Sequence, residues 1–261
     1  MNFKLPFLPE RPEKPRKNGA TMMMDKGLSL REAENFIDKA GHLTDYIKLG
    51  FGTSIVSTKL QEKIKMYQDS GMKVYMGGTL FEAFLVRDKV GDYKKLLDKF
   101  GLVCCEVSDG SITIPHDRKL ELISDFAKDY EVLSEVGSKE EGIFISPGLW
   151  INMMKTELEA GSSFVIAEAR ESGTVGIYRP NGTAHTMLIN RILANVEKDR
   201  ILWEAPIKNQ QVWFIKNLGH NVNLGNIGPD EVIPLETLRL GLRGDTFFDH
   251  LPESVVEKHH D

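Results

Sequence analysis

The fold is decided by residues 46–76, which read YIKLGFGTSIVSTKLQEKIKMYQDSGMKVYM. A short apolar run at 46–49 ends in glycines, and a second apolar run follows at 73–76. Between the two runs, apolar residues recur at the spacing of one helix face, so residues 57–70 are predicted to form a helix. Two short strands joined by a helix are typical of a parallel pair, because the chain must cross back before the second strand can begin.

The same alternation recurs along the chain, and we predict eight strands that are each followed by a helix. The predicted strands lie at 20–24, 46–49, 73–76, 102–107, 131–136, 163–169, 201–203 and 221–224. Eight such units close most simply into a (β/α)8 TIM barrel, and 261 residues is near the ~250 typical of that fold. A doubly wound open sheet is the alternative. We expect one α/β domain at 18–247, after an extended N-terminal arm at 1–17 and before a C-terminal tail at 248–261.

Composition excludes several classes of protein. The formal net charge is -5, from 33 basic and 38 acidic side chains, which argues against a nucleic-acid binder that works by charge alone. The sequence contains no apolar stretch near the ~20 residues that span a bilayer, and its beginning has no apolar signal segment. The two cysteines, Cys104 and Cys105, are adjacent in an apolar run, which favours buried thiols in a reducing cytosol over a disulfide. We therefore expect a cytoplasmic protein with neither a nucleic-acid nor a membrane partner.

Four glutamates end consecutive apolar runs, from the fourth predicted strand to the seventh. They are Glu106, Glu135, Glu168 and Glu204. In a barrel these ends meet at one mouth, where buried carboxylates are costly unless they are paired or bind a metal. A hard divalent cation such as Mg2+ prefers oxygen ligands and would relieve their repulsion. The alternative is a set of structural ion pairs with Lys26, Lys48 or Lys139.

Two lysines complement these carboxylates. Lys48 lies inside the second apolar run, so it should point into the barrel, where it can bind an anion or exchange protons. The alternative is a buried ion pair that only positions strands. Lys139 follows the fifth predicted strand on a loop, and as an isolated residue it would be an ordinary surface lysine.

Glycine-rich turns after several strands offer backbone N–H groups to an oxyanion. Residues 223–228 follow the eighth predicted strand and precede a helix, at the customary phosphate site of such barrels. The turns at 50–54 and 77–79 offer similar donors, and Lys48 and Arg170 would add positive charge. Glycine in tight turns also has a purely conformational explanation, so each turn alone leaves both interpretations open.

Read in order, these strings resemble the phosphosulfolactate synthase family, over about residues 15–247. The resemblance is carried by DKG at 25–27, KLGFGTS at 48–54, GGTLFE at 77–82, EVSDG at 106–110, SEVG at 134–137, EARESG at 168–173, EAP at 204–206, NLGNI at 223–227 and LETLRLGLRGDT at 235–246. It implies a Mg2+-dependent carbon–sulfur lyase that adds sulfite to phosphoenolpyruvate through an enediolate, giving (2R)-phospho-3-sulfolactate. In archaea this reaction begins coenzyme M synthesis, and bacterial and heat-stress-associated plant relatives share the strings.

Combined with the inventory of strand ends, the resemblance implies three groups of site residues. The catalytic group is Lys139, as the proton donor, with Lys48, Arg170 and Asp25. The group that binds substrate or phosphate is Lys26, Gly52, Thr53, Ser54, Gly78, Arg170, Asn223, Gly225 and Asn226. The metal ligands are Glu106, Glu135, Glu168 and Glu204.

Two rival functions remain open from the sequence. One is another Mg2+-dependent barrel lyase or aldolase that acts on a phosphorylated enol acid, with a different nucleophile. The other is a non-catalytic, stress-related barrel that binds a partner. We also expect a homo-oligomer, in which the proline-rich arm and Phe247-Phe248 pack against a neighbouring subunit.

Overall fold

In the computed structural model, which describes residues 3–137, 145–169 and 172–259, eight parallel strands form one curved sheet. The strand order is β3-β2-β1-β8-β7-β6-β5-β4, and β3 and β4 at its two ends pack side by side. The Cys104 thiol donates to the Val74 carbonyl oxygen at 3.3 Å across that junction. The predicted (β/α)8 barrel is therefore confirmed. The strands are β1 (Thr21–Asp25), β2 (Tyr46–Leu49), β3 (Lys73–Met76), β4 (Cys104–Val107), β5 (Glu131–Val136), β6 (Ser162–Ala167), β7 (Ile201–Glu204) and β8 (Leu224–Ile227).

Helices return the chain between successive strands, and two more follow the last strand. They are α1 (Leu30–Ala40), α2 (Leu60–Asp69), α3 (Gly78–Leu85), α4 (Val90–Lys99), α5 (His116–Phe126), α6 (Pro147–Glu159), α7 (Thr186–Leu193), α8 (Lys208–Leu218), α9 (Val232–Arg239) and α10 (Glu253–His259). Ser29 and Glu32 form the capping box that their spacing predicts, in which each side chain accepts from the other residue's backbone N–H. No helix in the described part of the chain is long and apolar enough to cross a membrane.

One predicted strand was misplaced. The eighth strand was predicted at 221–224, but it runs from Leu224 to Ile227. Its glycine and asparagine suggested a loop. Gly225 is in the strand, and the absence of a side chain leaves room for Met22, since a Cβ there would lie 2.7 Å from that side chain. The chain between β3 and β4 forms two helices, and Asp88, with φ 54°, lies at the break before α4.

The core has two layers, as barrel geometry requires. Inside the barrel, side chains from seven strands pack below the mouth: Met22, Tyr46, Tyr75, Cys104, Leu133, Ile166 and Leu202. A larger apolar layer lies between the outer face of the strands and the helices. Because side chains alternate along a strand, Cys104 faces inward and Cys105 faces the helices. Burial raises the pKa of both thiols, so they act as core residues and not as nucleophiles.

The segment before β1 is fastened to the amino-terminal end of the barrel. Arg11 forms an ion pair with Glu236 at 2.9 Å, and Arg16 forms one with Asp45 at 3.2 Å. The Asp45 carboxylate also accepts from the backbone N–H of Thr21, the first residue of β1. These contacts lie at the end of the strands opposite the residues described next.

Candidate active site

A cavity of about 360 Å³ opens where the strands end at their carboxyl side. This is the end at which barrel enzymes carry out chemistry, because side chains from different strands meet there. The cavity is lined by Met24, Lys48, Phe51, Gly77, Gly78, Thr79, Glu106, Glu135, Glu168, Ala169, Ser172, Glu204 and Asn226.

The ammonium group of Lys48 lies among three of the buried carboxylates. Its Nζ is 3.0 Å from Glu106 Oε2, 3.2 Å from Glu204 Oε1 and 3.4 Å from Glu135 Oε2. Burial alone would lower the pKa of Lys48, but attraction to the three carboxylates raises it well above its ordinary value. Lys48 therefore stays charged and points into the barrel, as its place in the apolar run of β2 predicts.

Three carboxylates form a compact cluster of oxygen ligands. Oxygens of Glu135, Glu168 and Glu204 lie within 4.8 Å of one another, and all three residues are buried. Burial raises the pKa of Glu204 to about 7; Lys48 opposes this shift and Glu135 adds to it. Clustered, buried and mutually repelling carboxylates fit a hard divalent cation, which prefers such oxygen ligands.

Glu106 is held beside this cluster by the start of α3. Its Oε1 accepts a 2.7 Å hydrogen bond from the backbone N–H of Gly78, and its Oε2 faces Lys48. A Cβ on Gly78 would lie 2.6 Å from Glu106 Oε1 and closer still to the Ser108 hydroxyl. Glycine is thus required at the start of α3, because only a bare backbone can approach this carboxylate so closely.

Other residues that the sequence selected lie elsewhere. The buried Asp25 carboxylate accepts from the backbone N–H groups of Gly27 and Leu28 at 2.7 Å, and it pairs with Lys63 at 2.8 Å. Lys26, on the loop that these bonds shape, is exposed. Gly52, Thr53 and Ser54 belong to the short helical turn Gly50–Ile55, next to the lining residue Phe51.

The corrected position of β8 separates the residues that were predicted to form one phosphate loop. Asn223 precedes β8, and its amide bonds to the backbones of Ala20, Asp199 and Ile201 near the amino-terminal end of the barrel. Gly225 is packed inside the strand, and of this stretch only Asn226 lines the cavity. Lys139 and Arg170 lie outside the described residues, so their predicted roles stay predictions.

Lys119, which binds the backbone of Glu135, was not identified from the sequence. The buried Lys119 on α5 donates to the Glu135 carbonyl oxygen at 2.5 Å, and it pairs with Glu157 at 2.9 Å and Asp109 at 2.8 Å. A signal was present, because Lys119 shares a helix face with the buried residues at the third, fourth and seventh positions after it, which are Leu122, Ile123 and Phe126. Phe51 and Thr79 line the cavity within the turns at 50–54 and 77–79 that the sequence selected, whereas Ser172 was given no role.

The sequence of the chain that forms this cavity is similar to sequences of known proteins. The family model described as (2R)-phospho-3-sulfolactate synthase matches residues 9–245. A phosphosulfolactate synthase of Methanothermobacter thermautotrophicus is 42% identical over 91% of this chain and 95% of its own. One of Bacillus subtilis is 38% identical over 92% of this chain and 97% of its own.

Solved structures add a likeness of fold alone. The 3-hexulose-6-phosphate synthase of Salmonella typhimurium has a TM-score of 0.56 and 16% identity, over 86% of this chain and 100% of that one. The family match spans the barrel from the segment before β1 to the turn after α9, and it includes every residue that lines the cavity. The chain belongs to the (2R)-phospho-3-sulfolactate synthase family.

Proposed function

We propose that the chain catalyses Mg2+-dependent addition of sulfite to phosphoenolpyruvate, giving (2R)-phospho-3-sulfolactate, as a carbon–sulfur lyase. The observation that carries the proposal is the position of Lys48, a charged lysine held among Glu106, Glu135 and Glu204 in the cavity of a chain with this family membership. A volume of about 360 Å³ falls within the range for small-molecule sites and suits two small anions.

The charge of the cavity wall supports a requirement for a divalent cation. Among the described lining residues there are four carboxylates and one ammonium group. Such a wall repels phosphoenolpyruvate and sulfite, which are both anions, unless further positive charge is bound. Glu135, Glu168 and Glu204 would hold Mg2+, and the bound ion would stabilise negative charge that develops on the substrate carboxylate.

The reaction needs a nucleophile, a place for charge and one proton. The sulfur lone pair of sulfite forms the new bond to C3, and the electrons of the double bond move towards C2 and the carboxylate. Lys48 provides fixed positive charge in the cavity for that carboxylate, while Arg170 and the turns at 50–54 and 77–79 would bind phosphate or sulfite. C2 then takes a proton, for which Lys139 is our candidate, because it follows Gly137 by two residues at the end of the strand that carries Glu135.

Asp25 is proposed to act through the loop that follows it. Its carboxylate binds the backbone N–H groups of Gly27 and Leu28, and this fixes the turn that carries Lys26 at the carboxyl end of β1. Lys26 on that turn would attract anions to the mouth of the barrel.

A homo-oligomer remains part of the proposal. Leu5, Phe7, Leu242 and Phe247 line an apolar hollow of about 290 Å³, and each of them is 42% to 55% exposed. Such a hollow suits packing against a second copy of the chain. Light scattering coupled to size exclusion measures the mass in solution, and a monomer at working concentration would contradict this part.

The experiment that tests the proposal follows phosphoenolpyruvate consumption with and without sulfite, at increasing Mg2+ after chelator treatment. We expect consumption only when sulfite and metal are both present, and a phosphorus spectrum that shows a phosphorylated sulfonate. Consumption without sulfite would favour a lyase that uses another nucleophile. No consumption and no binding of phosphoenolpyruvate would favour the non-catalytic barrel. Undiminished turnover in Lys139→Ala would remove the proton-donor assignment alone.

A further inference from the structure

The side-chain amide of Asn226 has a fixed orientation at the wall of the cavity. Asn226 is the third residue of β8, is 7% exposed, and donates from Nδ2 to the Ala169 carbonyl oxygen at 3.3 Å. A carbonyl oxygen only accepts hydrogen bonds, so the amide nitrogen must be the atom that faces Ala169. The amide oxygen, Oδ1, therefore points away from this contact.

That oxygen is a buried acceptor without a donor. Among the described residues, no group donates a hydrogen bond to Asn226 Oδ1. Buried polar atoms are almost always satisfied, so an exception at a cavity wall indicates a group that binds there. The backbone conformation agrees, because Asn226 has φ 56°, a left-handed conformation that is uncommon outside glycine and often occurs at functional sites.

Asn226 is also tied to the carboxylate cluster. The Ala169 residue that accepts from Asn226 Nδ2 also donates its backbone N–H to Glu204 Oε2, at 2.9 Å. One residue thus fixes the side chains of Asn226 and Glu204, which line the same cavity as Glu135 and Glu168. The amide of Asn226 and the three carboxylates therefore face one cavity.

The free atom of Asn226 is an acceptor, and this decides what it binds. A phosphate group offers mainly acceptor oxygens, so an amide oxygen would repel it, whereas a hard cation accepts amide oxygens as ligands. Lys48, the described ammonium group of the cavity, already contacts three carboxylates. We infer that Asn226 Oδ1 is a neutral oxygen ligand of the divalent cation held by Glu135, Glu168 and Glu204, in place of the phosphate contact that its sequence position suggested.

This inference rests on the metal site of the proposed function, so its test measures the metal alone. Calorimetric titration of chelator-treated protein with Mg2+, in the absence of both substrates, gives the affinity directly. We expect Asn226→Ala to weaken Mg2+ binding by at least about tenfold, the scale on which supporting groups of metal sites act. Asn226→Asp places a charged oxygen at the same position, so it should bind Mg2+ at pH 8 more tightly than the parent protein does.

The two variants separate a cation ligand from a phosphate contact. If Asn226 bound phosphate through its nitrogen, both variants would keep the parent's affinity for Mg2+. Asn226→Asp would then raise the KM for phosphoenolpyruvate more than Asn226→Ala does. That result would overturn the inference. The matched control is Asn217→Ala, an exposed asparagine of α8, which should keep the parent's affinity. Circular dichroism checks that each variant folds, and Asn226→Asp carries the test alone if Asn226→Ala does not.

Failure of the proposed function gives a different result. If the unsubstituted protein takes up no Mg2+, the metal site itself is absent and the proposed function loses its cation. If the unsubstituted protein binds Mg2+ and Asn226→Ala binds it equally well, only the role of Asn226 is lost.

Discussion

The ammonium of Lys48 lies 3.0 Å from Glu106 Oε2, which joins the second and fourth strands across the mouth of the barrel. The same ammonium also contacts Glu135 and Glu204, so one positive charge is shared by three buried carboxylates. In such an arrangement the lysine stabilises several charges at once, and its removal leaves each of them less well compensated.

The first prediction concerns the loss of that charge. Lys48→Met should lower the free energy of unfolding by about 3 kcal/mol at pH 8, because it leaves buried carboxylates without their ammonium partner. The loss should be smaller at pH 6, below the pKa of about 7 that burial gives Glu204, because this carboxyl is then largely protonated. Urea denaturation at the two pH values measures the difference. Lys65→Met is the control, since Lys65 pairs with Asp69 on the exposed face of α2 and should matter by less than about 1 kcal/mol. An equal effect at both sites would contradict the prediction.

The second prediction compares two glycines at the start of helices. Gly78→Ala should abolish most of the proposed turnover, because the added Cβ would meet Glu106 Oε1 at 2.6 Å and force this carboxylate to move. Gly91→Ala adds the same methyl group where no atom lies within 4 Å, and it should keep turnover and stabilise α4 by up to about 1 kcal/mol. Steady-state assays and thermal unfolding of both variants check this pair. Full activity in Gly78→Ala would show that Glu106 need not stay in place.

The sequence predicted the elements that local pattern controls. The apolar runs of β2, β3 and β5 begin and end as expected, and the glutamates at strand ends meet because parallel strands of a barrel end together. What the sequence could not show depends on distant neighbours. Gly225 lies within a strand with the Met22 side chain packed beside it, and Asn223 lies away from the cavity, where its amide oxygen accepts from the backbone N–H of Ala20. The hydrogen bond from the amide of Asn226 to Ala169 likewise joins residues that are far apart in the sequence.

The third prediction concerns the buried lysine behind Glu135. Burial would lower the pKa of Lys119, but Glu157 and Asp109 raise it to about 12, so it is charged at every working pH. Lys119→Met should cost about 3 kcal/mol of stability, since it leaves Glu157 buried without its partner. Lys119→Met combined with Glu157→Gln should recover part of this loss, because the buried charge of Glu157 is then removed as well.

A double-mutant cycle by urea denaturation measures that coupling. Lys128→Met serves as the control, because Lys128 is mostly exposed and pairs with Asp125 on the surface. Additive losses in the double variant would show that Lys119 and Glu157 stabilise the barrel independently. Such a result would also remove the ion pair as the support of the Glu135 backbone.

The fourth prediction is a pH dependence that originates at Glu204. Burial raises the pKa of this carboxyl from 4.5 to about 7 in the folded protein. The fold thus favours the protonated form, and this stabilisation is complete below pH 4.5 and is lost as the pH rises through 7. Metal-free protein should lose about 2 kcal/mol between pH 5.5 and pH 8 from this group, and Glu204→Gln should not show that part of the loss.

Thermal unfolding of the metal-free protein at the two pH values tests this sign. Glu62→Gln is the control, because Glu62 is exposed on α2 and its replacement should leave the parent's pH dependence in place. Saturating Mg2+ should reverse the trend, since a cation that binds the ionised carboxylates stabilises the folded state most at high pH. The parent protein and the Glu204→Gln variant could show the same pH dependence of stability, both with and without Mg2+. That result would show that Glu204 is not the group whose ionisation couples stability to pH and to metal binding.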